Sequence, residues 1–198
     1  MCTVRVSRLE TDFNIKLQYR HFPLHPETPA EGLSLEALFA GRNIDLESVQ
    51  LEMQQRMAHE GLPYGARTMT YNSRRAQELA KWAEQERGDH AIHNALYQAY
   101  FVDNVNLAEI NSLVGLATRL GLSAVDARDA LTTGRFRDAV DADWDRSRAL
   151  GITSVPTFVT KNRGLVGARS YEELAAFLES FGVTPRTPPA SSTGSSQT

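Results

Sequence analysis

The chain has 198 residues, 41% hydrophobic and 23% charged, with a formal net charge of −3, values that fit one large globular domain or two small ones. A slight acidic excess without a Lys/Arg cluster sets aside a nucleic-acid surface. No apolar run approaches the roughly 18 residues of a membrane span, and the first twenty positions carry interspersed Arg, Glu and Asp, so no anchor or signal peptide is expected and a cytoplasmic location is the default. The single cysteine, Cys2, excludes an internal disulfide and any multi-cysteine metal site.

Along the chain, Val6, Leu9 and Phe13 have the spacing of a helix that runs into residues 14–22, where Ile15, Leu17, Tyr19 and Phe22 alternate as in a strand with one buried face. Prolines at 23, 26 and 29 with Gly32 then predict an irregular connection, because each proline lacks a ladder donor. Residues 34–151 read as helix throughout. Ser34 caps a run to Phe39, and Asp45 caps a run through Val49, Met53 and Met57 that stops at Gly61. Asn72 or Ser73 starts a helix with the stripe Ala76, Leu79, Ala80 and Ala83, ending at Gly88. Asp89 starts the next, with Ile92, Leu96, Ala99 and Tyr100. Further helices are expected over 108–120, 123–131 and 136–150, stopped by Gly121, Gly134 and Gly151, each with apolar residues at three- and four-residue spacing.

After Gly151 the period returns to that of strands. Residues 156–160 and 165–168, joined by Lys161-Asn162-Arg163-Gly164, predict a hairpin. Ser170 and Glu173 form a capping box for a helix through Leu174, Phe177, Leu178 and Phe181. From Thr184 onward the Pro, Ser, Thr and Gly composition predicts a disordered tail over 184–198. Strand, helical block, hairpin and helix together suggest a small sheet with a helical lid, an α/β arrangement.

Gly151-Ile152-Thr153-Ser154-Val155-Pro156-Thr157-Phe158-Val159 resembles the cis-proline loop of DsbA-type thiol-disulfide oxidoreductases, as does its setting between a long helix and a hairpin ending in Gly167-Ala168. His21-Phe22-Pro23-Leu24-His25-Pro26 is similar to the connection after the second strand in the cytoplasmic FrnE-like subgroup. The resemblance covers about residues 1–183. It implies a thioredoxin-like fold with a large all-helical insertion: residues 1–32 and 150–183 would form a partial thioredoxin-like domain and 33–149 the insertion. It also implies that Val155 and Pro156, with Ser154 beside them, form the platform that pairs with a substrate segment. An isolated Val-Pro would instead start an edge strand with an ordinary trans bond.

Members of that family begin with a strand leading into Cys-x-x-Cys at a helix start, where the helix N-terminus favours the nucleophilic thiolate. Here the spacing from Cys2 to Arg8-Leu9-Glu10 resembles the stretch after the second cysteine of the motif. By resemblance Cys2 is the resolving cysteine, and the first strand and nucleophilic cysteine have no counterpart. One cysteine cannot carry two electrons through an intramolecular disulfide. Three accounts compete: a natural start upstream of Met1, a shortened non-catalytic binding protein, or Cys2 acting alone through mixed disulfides with glutathione or a partner thiol. A fourth makes Cys2 an incidental terminal residue. A missing central strand would withhold about three large apolar side chains, each worth roughly 1.5–3 kcal/mol, so the chain alone is expected to be poorly soluble, partly unfolded or a homodimer.

The resulting expectation is thiol–disulfide exchange on protein or small-molecule thiols, impaired by the single cysteine. The alternatives are a relative of the glutathione-dependent isomerases and kappa-class transferases, and a non-catalytic peptide-binding protein. Glutathione is a candidate co-substrate; no other cofactor and no metal is expected. His90 and His93 share a helix face but lack a third ligand in the sequence pattern. His59-Glu60 lacks the second histidine of a zinc-protease helix. His21 and His25 are candidates for tuning a thiolate. Met53, Met57, Trp82 and Trp144 read as core.

Overall fold

The computed structural model describes residues 2–161 and 163–186. In chain order the elements are α1 (Cys2–Asp12), β1 (Leu33–Ser34), α2 (Leu35–Leu38), α3 (Leu46–His59), β2 (Met69–Thr70), α4 (Arg74–Arg87) and α5 (Ala91–Phe101). They continue as α6 (Ile110–Arg119), α7 (Ala124–Thr133), α8 (Arg137–Ala149), β3 (Thr157–Thr160), β4 (Arg163–Val166) and α9 (Tyr171–Glu179). These fall into two compact units, one spanning Tyr19–Val155, the other combining Cys2–Gln18 with the chain from Pro156 onward.

The helical unit is organised around α4, which touches α5, α6, α7 and α8. The stripe expected on it is buried: Ala76, Leu79, Ala80 and Ala83 join Trp82, Ile92, Leu113, Leu116 and Ala127 in one apolar cluster. Because neighbours cover it on several sides, α4 also buries Gln77 and Glu78, which a one-sided stripe does not anticipate. Both are satisfied: Trp144 Nε1 donates to Gln77 Oε1 at 2.8 Å, and Arg74 Nε donates to Glu78 at 3.1 Å. Trp144 is thus half-buried with a polar anchor, while Trp82 is core.

Capping residues set three of the helix starts in this unit as the sequence predicts, whereas Ser73 precedes α4 without a side-chain cap bond and His90, one residue after Asp89, is the N-cap of α5. Ser34 Oγ accepts from Ala37 N, Asp45 from Glu47 N and Ser48 N, and Ser123 from Asp126 N. Gly88 and Gly134 end α4 and α7 in the left-handed conformation, at φ 72° and 66°. Helix α3 differs from expectation. It buries no residue, Val49 is exposed, and Met53 and Met57 are half-covered, so they line a peripheral helix and are not core. The short antiparallel pair of β1 and β2, with Leu33 opposite Thr70, has too few residues for a period to register in the sequence.

In the second unit, Leu9 of α1 and Phe13 just after it pack with Leu174 of α9, flanked by Ile15, Phe158, Leu165, Tyr171 and Leu178. The capping box is present: Ser170 Oγ accepts from Glu173 N at 3.1 Å and Glu173 accepts from Ser170 N at 2.8 Å. Strands β3 and β4 pair antiparallel from Thr157 opposite Val166 to Thr160 opposite Arg163. The link is therefore shorter than expected: Arg163 and Gly164 belong to the strand, and Lys161 takes φ 54° to make the tight turn.

Residues 14–22 form no strand. Alternation specifies which side chains are buried, and Ile15 does reach the core, but it does not supply a paired neighbour. Thr184, Pro185 and Arg186, expected in the tail, extend the ordered chain. Pro185 bridges to Phe13, and Arg186 donates from N to Asp12 O at 2.6 Å and from Nε to Phe13 O at 3.0 Å. The rest of the expected tail, 187–198, lies outside the described residues.

Candidate functional site

Cys2 is half-buried and opens α1, so it lies in the turn whose main-chain N–H groups lack carbonyl partners within the helix and favour negative charge. The helix is fixed within its unit. Val6, Leu9 and Phe13 are buried, and Arg5 donates to Arg169 O at 2.5 Å. Arg8 lies over the Tyr171 ring at 3.8 Å, and Tyr171 Oη donates to Asp12 at 2.5 Å. That hydrogen bond to a carboxylate pushes the Tyr171 phenol above its usual range.

Pro156 belongs to the same unit as Cys2 and precedes β3; its carbonyl accepts from Gly167 N at 2.8 Å, tying it to the far end of the hairpin. Ser154 and Val155 close the helical unit's segment and are exposed, Val155 at 48%. A loop with an exposed residue ahead of an anchored proline can receive an extended partner segment.

The helical unit also gathers ionisable groups that the sequence leaves far apart. Asp143 of α8, 2% exposed, accepts from Lys81 Nζ at 2.5 Å, Arg20 at 3.0 Å and the main-chain N of His21 at 3.0 Å. Burial pushes the Asp143 carboxyl up, but the Lys81 hydrogen bond and then those of His21 and Arg20 outweigh it and hold it below the usual carboxylate range. His21 is pushed down to about 4, first by burial and then by Lys81 and His93, so it is neutral at pH 7, and its Nε2 is buried without a hydrogen-bond partner among the described residues. The structure places His21 in this cluster of the helical unit, while His25 is exposed.

Beside His21, the two histidines that lacked a third ligand acquire one. Glu84 of α4 lies 2.8 Å from His90 Nδ1 and 2.8 Å from His93 Nε2. Tyr19 stacks on His93 at 4.0 Å and meets His90 edge-on at 4.9 Å. Glu84 is invisible to a same-helix spacing rule because it sits on the preceding helix, and only the turn at Gly88 folds it back over the start of α5.

A sequence profile of the DSBA-like thioredoxin domain matches residues 2–179. The chain is 27% identical over 88 residues to the uncharacterized protein YwbO of Bacillus subtilis (strain 168), a match spanning 44% of this chain and 44% of that relative. Among solved structures, a probable DsbA oxidoreductase from Streptomyces coelicolor superposes with a TM-score of 0.80 at 27% identity, covering 94% of this chain and 85% of that one. A 2-hydroxychromene-2-carboxylate isomerase gives a TM-score of 0.65 at 17% identity, with 90% and 85% covered, a likeness of fold alone. With helices inserted between α1 and the β3–β4–α9 unit, and a profile match over nearly its whole length, the chain belongs to the DsbA-like thioredoxin domain family.

Proposed function

We propose that the protein carries out thiol–disulfide exchange, with Cys2 as the reacting thiol and Ser154, Val155 and Pro156 as the segment that receives a substrate strand. The observation that carries this reading is the position of Cys2 in the first turn of α1 of a DsbA-like thioredoxin domain. Attack of the Cys2 thiolate on a disulfide R–S–S–R′ forms a Cys2–S–S–R bond and breaks the old one, and R′S⁻ leaves with the electron pair. Since the sequence holds one cysteine, an external thiol resolves the mixed disulfide, and glutathione is the proposed co-substrate. Multiple turnover is accordingly slow. The likeness of residues 21–26 supports a place in the cytoplasmic FrnE-like subgroup, where a reducing poise favours reduction or isomerisation over bulk oxidation.

Intact-mass analysis after incubation with oxidised glutathione tests the assignment. The folded chain is expected to gain one glutathionyl group faster than the urea-unfolded chain, Cys2→Ser none, and insulin reduction with glutathione to be slow. Equal adduct rates for folded and unfolded chain would refute a built thiol site, and rapid insulin reduction by Cys2→Ser would move the chemistry elsewhere.

A further inference from the structure

The Glu84, His90 and His93 cluster lies in the helical unit and plays no part in the proposed exchange reaction. Each residue offers one ligand atom, and the three atoms lie within 4.8 Å of one another. Their side chains are 20%, 36% and 5% exposed for Glu84, His90 and His93, so the cluster is walled on the His93 side and open to solvent along His90. Tyr19 contacts both imidazoles and restricts their rotation.

We propose that Glu84, His90 and His93 bind a divalent transition-metal ion, zinc being the best match to one carboxylate and two imidazoles with water in the fourth position. At present one carboxylate oxygen is shared by two imidazole nitrogens at 2.8 Å each. Bonds of about 2.1 Å in tetrahedral geometry set neighbouring ligand atoms about 3.4 Å apart, so Glu84 draws back from each imidazole by roughly half an ångström while the two imidazole nitrogens, within 4.8 Å of each other, close toward that spacing, and each imidazole binds through its bare nitrogen and keeps its N–H on the other ring nitrogen. Lys81 and Arg20 both pair with Asp143. His21 is the independent pointer. Its ring lies 5.8 Å from that of His93 and its buried Nε2 has no partner among the described residues, an expensive arrangement that a metal-bound water beside it relieves.

The test uses the full chain, stripped with chelator and titrated calorimetrically with zinc chloride, in wild type and in Cys2→Ser to remove sulfur as a ligand. One zinc per chain is expected in both, and His90→Ala and Glu84→Gln are expected to weaken binding at least tenfold, the minimum that even loss of an outer-shell contact costs. Melting in chelator establishes that each variant is folded. If neither folds, X-ray absorption on the zinc-loaded wild type decides, with imidazole and oxygen scatterers expected. Absence of saturable binding, binding unchanged in a folded His90→Ala, or sulfur in the first coordination shell would overturn the proposal.

Discussion

Replacing Asp143 by Ala removes a carboxylate that is 2% exposed and accepts from Lys81, Arg20 and the His21 main chain. The three donors are not equivalent. Arg20 is 48% exposed and turns to solvent at little cost, whereas Lys81 is 13% exposed and loses its counter-charge in a poorly solvated place. Breaking a buried pair from one side typically costs about 3–5 kcal/mol, and the stranded His21 N–H is part of that loss. Against a whole-domain stability of about 5–15 kcal/mol, the variant should unfold at markedly lower urea in an equilibrium titration. Adding Lys81→Met should restore much of the loss, since the stranded charge goes with it, and the cycle should show coupling of about 1–3 kcal/mol. The pH dependence has a definite sign. Because the folded-state pKa of Asp143 is depressed, its contribution is complete above the unfolded value near 3.9 and is lost as pH falls through the folded value. Wild type and variant should therefore converge in acid. A loss under about 1 kcal/mol at neutral pH with Lys81 intact would refute the reasoning, as would a difference that persists in strong acid.

Two substitutions probe the frame of each unit. At Gly65 an added Cβ would meet Val102 O at 2.4 Å, so Gly65→Ala should cost about 1–3 kcal/mol in urea unfolding despite its small size. Ser170→Ala removes one half of the capping box on α9 and should cost about 1 kcal/mol, with Ser170→Asp, which keeps an acceptor at the cap, recovering most of it.

The helix starts were legible because their determinants are local. A side-chain acceptor at Ser34, Asp45, Ser123 or Ser170 satisfies N–H groups two or three residues away, and both partners stand together in the sequence. The β3–β4 hairpin was legible for the same reason, although its turn was two residues tighter than the composition suggested. Local pattern failed where a neighbour decided the outcome. Residues 14–22 alternate as a strand does, yet a strand is a pairing, and the pattern does not name the partner. Met53 and Met57 have core spacing, yet α3 lies where little covers them.

The helix that Cys2 opens and the family likeness could be read from the order of residues, the first because its apolar spacing is local and the second because it runs through the motifs along nearly the whole chain. The charged interior could not. Asp143 lies more than 120 positions from Arg20 and His21, and Glu84 lies six before His90 on a different helix. The sequence by itself determined where the side-chain-capped helices begin and which family the chain resembles, since caps depend on interactions within a few residues and the likeness on residues in their order. Only the tertiary structure decided which ionisable groups share a buried site, because burial and charge pairing depend on neighbours that the folded chain brings from distant positions.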